Sequence, residues 1–181
     1  MSNDARNEHE PKGLRGLAEH YLKDLVYGAN DGIITTFAVV AGVAGAQLDA
    51  RIVLILGFAN LLADGFSMGA SNFLSIRSDE AVRESSGLAV LEPFPVRHSV
   101  ATFASFVVAG AVPLLSYVVI RTGDAFPTAV ALTLATLFCV GAARAFVTQA
   151  RWWWSGLEML FVGSVAAAVA YGVGAFVEGL A

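Results

Sequence analysis

Charge is scarce in this sequence. Only 14% of its 181 residues are charged, against about 25% in soluble domains. At the same time 56% are hydrophobic and the mean hydropathy is +0.66. These values exclude an ordinary soluble domain and require an apolar solvent around much of the surface. Histidine is confined to His9, His20 and His98, which leaves few bases for acid–base or nucleophilic chemistry. The lone cysteine, Cys139, excludes an intrachain disulfide and reads as a small packing residue in an apolar helix. The eleven basic residues are dispersed and the net charge is −4, which excludes nucleic acid as a partner. Residues 1–16 have no apolar core before a small-residue cleavage site, so they read as a polar arm and not as a signal peptide.

Long apolar runs fill the rest. Five of them can cross a hydrocarbon core about 30 Å thick, at about residues 25–46, 52–76, 97–120, 127–149 and 155–180. The expected fold is an all-α integral membrane protein of five transmembrane helices. Residues 1–20 form a cytosolic arm with the start of an amphipathic helix, and 21–181 form the membrane domain. Leu17, Tyr21 and Leu22 alternate with Glu19, His20, Lys23 and Asp24, so this amphipathic helix runs straight into the first span. Residues 77–96 form a hydrophilic linker that ends in Pro93-Phe94-Pro95. Pro113 bends the third span and Pro127 opens the fourth.

Nine basic residues fall on one side, namely Arg6, Lys12, Arg15, Lys23, Arg77, Arg83, Arg97, Arg144 and Arg151, and two, Arg51 and Arg121, on the other. The positive-inside rule therefore predicts a cytosolic N-terminus and a C-terminus outside or in an organelle lumen. Trp152, Trp153 and Trp154 suit an interfacial belt on the cytosolic side, and Glu158 is expected to pair with Arg144 or Arg151 nearby.

Within the second span, Asn60, Asp64, Ser67, Met68, Ser71, Asn72 and Ser75 recur at helical spacing and form one polar stripe. An aspartate in a membrane helix costs about 2.5–3.5 kcal/mol on insertion scales, so it needs a partner, a wet path or a cation. Asp31, beside Asn30, is a second such acid at the start of the first span. Counted from the cytosolic ends, Asp31 lies about 9 Å deep, Met68 about 12 Å and Asp64 about 18 Å, at 1.5 Å per residue. Gly28 with Gly32 and Gly65 with Gly69 frame the two acids as small-xxx-small pairs, which permit close approach at a helix or subunit interface. A shared intramembrane cation site follows. Carboxylate and amide oxygens suit hard divalent ions, and the Met68 thioether shifts the preference towards transition metals, ferrous iron or manganese.

Asn30-Asp31-Gly32-Ile33-Ile34-Thr35-Thr36, Ala63-Asp64-Gly65-Phe66-Ser67-Met68-Gly69, and Gly156-Leu157-Glu158-Met159 with Ala166-Ala167-Ala168-Val169-Ala170-Tyr171 resemble the vacuolar iron transporter family over about residues 21–180. The resemblance implies a homodimer of five-helix subunits in the membrane of a bacterial cell or of an organelle such as the vacuole. It implies export of Fe(II) or Mn(II) from the cytosol in exchange for protons, for metal homeostasis, with no permanently bound cofactor. The path runs between the first two helices at the dimer interface. By motif position its aspartate falls on Asp31 and its methionine on Met68, with Asp64, Asn72, Asn30 and Ser67 along it and Asp24 and His20 at the entrance. Asp31 would hold the cation when ionised and a proton when the metal leaves. Two departures stand out. Residues 77–96 are too short to hold the glutamate-rich cytosolic domain of the plant and parasite transporters, so the chain looks like the shorter, nodulin-like branch with Asp79, Glu80, Glu84 and Glu92 merely solvated. Asn72 also stands where many relatives have an acid.

Two other readings compete. The polar stripe could serve only to bind helices together in a membrane scaffold. Gly65-Phe66-Ser67-Met68-Gly69 also satisfies GxSxG, the pattern of a serine hydrolase, but no histidine is placed to act as base for Ser67.

Overall fold

The computed structural model describes residues 13–120 and 125–180; most of the N-terminal arm, including Arg6, His9 and Lys12, and the turn holding Arg121 lie outside them. Among the described residues there are six helices and no strand. They are α1 (Gly13–Gly45), α2 (Ala50–Ser85), α3 (Pro95–Gly110), α4 (Val112–Val119), α5 (Ala125–Thr148) and α6 (Trp152–Glu178). Five helical stretches are long and apolar enough to cross a membrane, with α3 and α4 together forming the third.

The amphipathic segment and the first span are one continuous helix, as the spacing predicts. At 33 residues α1 is about 50 Å long, so it projects well beyond a hydrocarbon core of about 30 Å. The second helix is longer than its hydropathy suggests: it continues past Ile76 to Ser85. Residues 77–85 lack both glycine and proline, and nothing in them stops a helix. Gly87 does, with φ +68°. Its N–H donates to Glu84 O at 3.0 Å and the N–H of Leu88 to Arg83 O at 2.9 Å, the pairing of a Schellman cap that a glycine accommodates without strain. Asp49 caps the other end by accepting from the N–H of Arg51 at 2.7 Å.

The linker proper is therefore short and it is held in place. Glu80 accepts from the N–H groups of Leu91 (3.1 Å) and Glu92 (2.8 Å), and Arg83 Nε donates to Ala89 O at 2.9 Å. This corrects the expectation that the linker acids are only solvated: the long α2 carries Glu80 up to the returning chain. Glu80→Ala leaves two amides without their acceptor, a loss of about 1–3 kcal/mol. Hydrogen exchange at Leu91 and Glu92 should accelerate by about tenfold or more, and unchanged protection would show that another group anchors this loop.

The third span is broken at Ala111, directly after Gly110 and two residues before Pro113. Proline lacks the N–H that would continue the ladder, so the interruption falls where a bend is expected. Cys139 is exposed on α5 and not buried by packing, because the buried positions there recur on another face, at Thr133, Leu137 and Gly141.

Packing is organised around α1, which touches every other helix. Its Phe37, Val40 and Val43 join Val53, Leu61, Phe106 and Leu114 in the main core, while Ile33 packs with Leu137 and Met159. The two glycine pairs do not face each other. A Cβ on Gly28 would strike Thr102 O and Ser105 Oγ, and one on Gly32 would lie within 2.9 Å of the Phe106 backbone. On α2, Gly65 meets the Phe106 ring at 3.0 Å and Gly69 meets Ser99 O at 3.1 Å. Both small-residue frames thus seat α3 against α1 and α2, and their grooves are filled within the chain and not left free for another copy. The motif permits close approach without specifying which helix approaches.

Candidate functional site

The polar residues of α1 and α2 separate into two groups. The deeper one holds Asp31 and Asp64, which are close enough to act on each other electrostatically. Both are partly buried, and neither has an ion-pair partner among the described residues. The backbone carbonyl of Asp31 accepts from Thr35 Oγ1 at 2.8 Å, so its carboxylate is not needed to hold the helix. One turn from Asp64, Met68 packs on the core that contains Phe106 and Leu61. Ser67 and Ser71 are exposed on the outer face of α2. Asn30 turns elsewhere: it lines a cavity of about 580 Å³ with Lys23, Arg144, Glu158 and Met159, and its buried Oδ1 has no hydrogen-bond partner among the described residues. The expected pair of Arg144 with Glu158 forms at this cavity.

The second group lies nearer the linker and is tightly bonded. Asp24 is only 5% exposed. Its Oδ1 accepts from Asn72 Nδ2 at 2.7 Å and its Oδ2 faces His98 Nδ1 at 2.6 Å. Asn72 Nδ2 also lies 2.8 Å from Thr102 Oγ1. The other ring nitrogen of His98, Nε2, lies 3.0 Å from Glu92 Oε2, and His20 Nε2 lies 3.6 Å from the same oxygen. His20, Asp24, Asn72, Glu92 and His98 line a cavity of about 540 Å³ together with Lys23, Asp79 and Glu80. Asn72 therefore belongs with Asp24 and not with Asp64. An amide there donates to Asp24, whereas an acid would set carboxylate against carboxylate, so the asparagine suits its neighbour.

His98 escapes sequence reasoning. At the edge of the third span it looks like an interfacial residue, and its partner Asp24 is 74 positions away. The only available hint is that Asp24, at the head of an apolar run, needs a donor. Ser67 is exposed and no histidine bonds to it among the described residues, so GxSxG gains no base from the fold.

The sequence that builds this arrangement is similar to known proteins. A family model described as the VIT family matches residues 22–88 and 79–175. The chain belongs to the VIT family. Among its relatives is Vacuolar iron transporter 2 of Oryza sativa subsp. japonica, 27% identical over 96% of this chain and 94% of that protein. Vacuolar iron transporter homolog 5 of the same plant is 33% identical over 85% and 79%. The Vacuolar iron transporter of Toxoplasma gondii is 47% identical over 60 residues, 33% of this chain and 20% of its own. Both matched stretches of the VIT model cover Asp79 to Leu88, which is the projecting end of α2 and its cap. With its five apolar helices, this VIT-family chain is an integral membrane protein of a cell or organelle membrane.

Proposed function

We propose that this VIT-family protein exports divalent transition metal, Fe(II) or Mn(II), from the cytosol in exchange for protons, along a path lined by Asp31, Asp64 and Met68. The observation that carries the reading is the pair Asp31 and Asp64, two carboxylates in electrostatic contact within apolar helices. They have no protein cation between them among the described residues. Polar groups that only bind helices together are paired, as Asn72 and Asp24 are. Asp31 and Asp64 are partly buried and have no ion-pair partner among the described residues, a state that a mobile cation or protons would neutralise. The names of the relatives support iron as cargo. The short, pinned linker supports a protein without a separate metal-binding domain.

The path would be completed in a homodimer whose interface includes α1 and α2. Ser67, Ser71 and Ser75 are exposed on α2, and lipid is a poor neighbour for a row of hydroxyls. Because the glycines face α3, cysteines at Ser67 or Ser71, not at Gly32 or Gly65, should crosslink two subunits in a background without Cys139. Their failure to do so in membranes would remove the dimer path.

Purified protein in liposomes, given Fe(II) or Mn(II) under an imposed pH gradient, tests the function. Uptake that collapses with the gradient is expected, and absence of uptake for both ions would overturn it. Met68→Leu keeps volume and loses sulfur. It should lower flux by about tenfold, equivalent to about 1.4 kcal/mol, while stability changes by less than about 1.5 kcal/mol. Equal losses of flux and stability would show Met68 to be core filling alone.

A further inference from the structure

The second polar group holds donors that the path leaves unused. One ligating atom each from His20, Glu92 and His98 lies within 4.8 Å of the other two. We propose that these three residues form a divalent transition-metal site, with Asp24 as the positioning residue that keeps His98 in its ligating tautomer. The assignment goes beyond the transport reading: it rests on none of Asp31, Asp64 and Met68, and it gives His20 and Asp24, expected only at the entrance, specific roles in a site completed by Glu92 and His98.

Geometry and chemistry agree. Metal bonds of about 2.0–2.2 Å to histidine nitrogen and carboxylate oxygen set neighbouring donors about 3.0–3.4 Å apart. Glu92 Oε2 is 3.0 Å from His98 Nε2 and 3.6 Å from His20 Nε2, so a small movement of the partly exposed His20 closes the set. Asp24 accepts from Nδ1 of His98, which leaves Nε2 to face the ion, the carboxylate–histidine–metal relay that fixes a ring's orientation. Asp24 is in turn held by Asn72. Two imidazoles with one carboxylate favour late first-row ions over magnesium or calcium, and the adjoining cavity of about 540 Å³ leaves room for water in the remaining positions.

Both nitrogens of His98 face carboxylates, Nδ1 that of Asp24 and Nε2 that of Glu92, and an ion at Nε2 would be shared with Glu92. Around the ring α1 contributes His20, Lys23 and Asp24, α2 contributes Asp79, Glu80 and Arg83, and the linker contributes Glu92. A bound ion would tie α1, the linker and α3 together.

Co(II) titration of the detergent-solubilised full chain tests the site, because histidine ligation gives visible absorption bands. Four proteins are compared: the parent, the double variant Asp31→Asn/Met68→Leu with its transport path disabled, His20→Gln and Asp24→Asn. His20 is half-buried and outside the apolar core, so its variant should fold with an unchanged melting temperature. Bands that persist in the double variant and Co(II) affinity at least tenfold weaker in His20→Gln are expected, with a smaller loss in Asp24→Asn. Identical isotherms for the parent and His20→Gln, or disappearance of the bands from a folded double variant, would overturn the site. Loss of metal flux in the double variant with its bands intact supports the site and is also what the transport reading expects. Intact flux with intact bands would count against the transport reading alone.

Discussion

Asp31→Asn is expected to reduce metal flux by about two orders of magnitude without unfolding the protein. The substitution preserves shape and removes the charge that, with Asp64, would hold a divalent ion. Loss of a charged ligand interaction worth about 3 kcal/mol corresponds to about a hundredfold in rate. Folding should survive because the carboxylate has no ion-pair partner among the described residues, and the Thr35 bond goes to the backbone oxygen. A neutral amide also relieves repulsion from Asp64. Flux in liposomes, read beside the melting temperature, separates the two effects. Normal pH-dependent flux through well-folded Asp31→Asn protein would refute the mechanism while leaving family membership untouched.

The largest effect on stability is expected from Gly32→Ala. The added Cβ would lie 2.9 Å from the Phe106 carbonyl carbon and Cα and closer still to its oxygen. Backbone cannot rotate out of the way as a side chain can, so α1 and α3 must separate along a fully buried seam. Overpacking of a core costs about 1–3 kcal/mol and occasionally more, and this position belongs at the upper end. Gly172 is the natural control, since nothing lies within 4 Å of a Cβ built there. Gly172→Ala should be neutral or slightly stabilising, because alanine is the better helix former by about 1 kcal/mol. A Gly32→Ala protein that melts with the parent would show that α3 can yield.

Hydropathy alone locates the five spans, because a membrane solvent imposes a length and a polarity on each of them. It misplaces the end of α2, where the apolar run stops at Ile76 but helix-compatible residues continue to the glycine at 87. Depth counting from Leu25 and Ile76 sets Asp31 and Asp64 about 9 Å apart along the membrane normal, yet they remain within electrostatic range of each other. Which helix fills a glycine groove cannot be read in the same way: Gly28, Gly32, Gly65 and Gly69 all announce close contact, and α3 supplies it for both pairs. The His98 cluster is hidden for a related reason. It gathers Asp24, Asn72, Glu92 and His98 from four segments, and no local spacing records a meeting arranged by the packing of α1 against α3.

Helices that slide past one another in small steps do so by letting interlocked side chains change rotamer. The contact between α1 and α3 at Gly28 and Gly32 has no side chain on the α1 half, and the contact of Gly65 and Gly69 with α3 has none on the α2 half. At Gly32 the opposing atoms are the Phe106 backbone itself, so no rotamer change can open that seam, whereas Gly65 rests on the side chains of Phe103, Phe106 and Val107. In the proposed transport cycle α1 and α3 would therefore move as one body, and any change in the separation of Asp31 from Asp64 would have to come from the hinge-like side of the pair, the contact of α2 with α3.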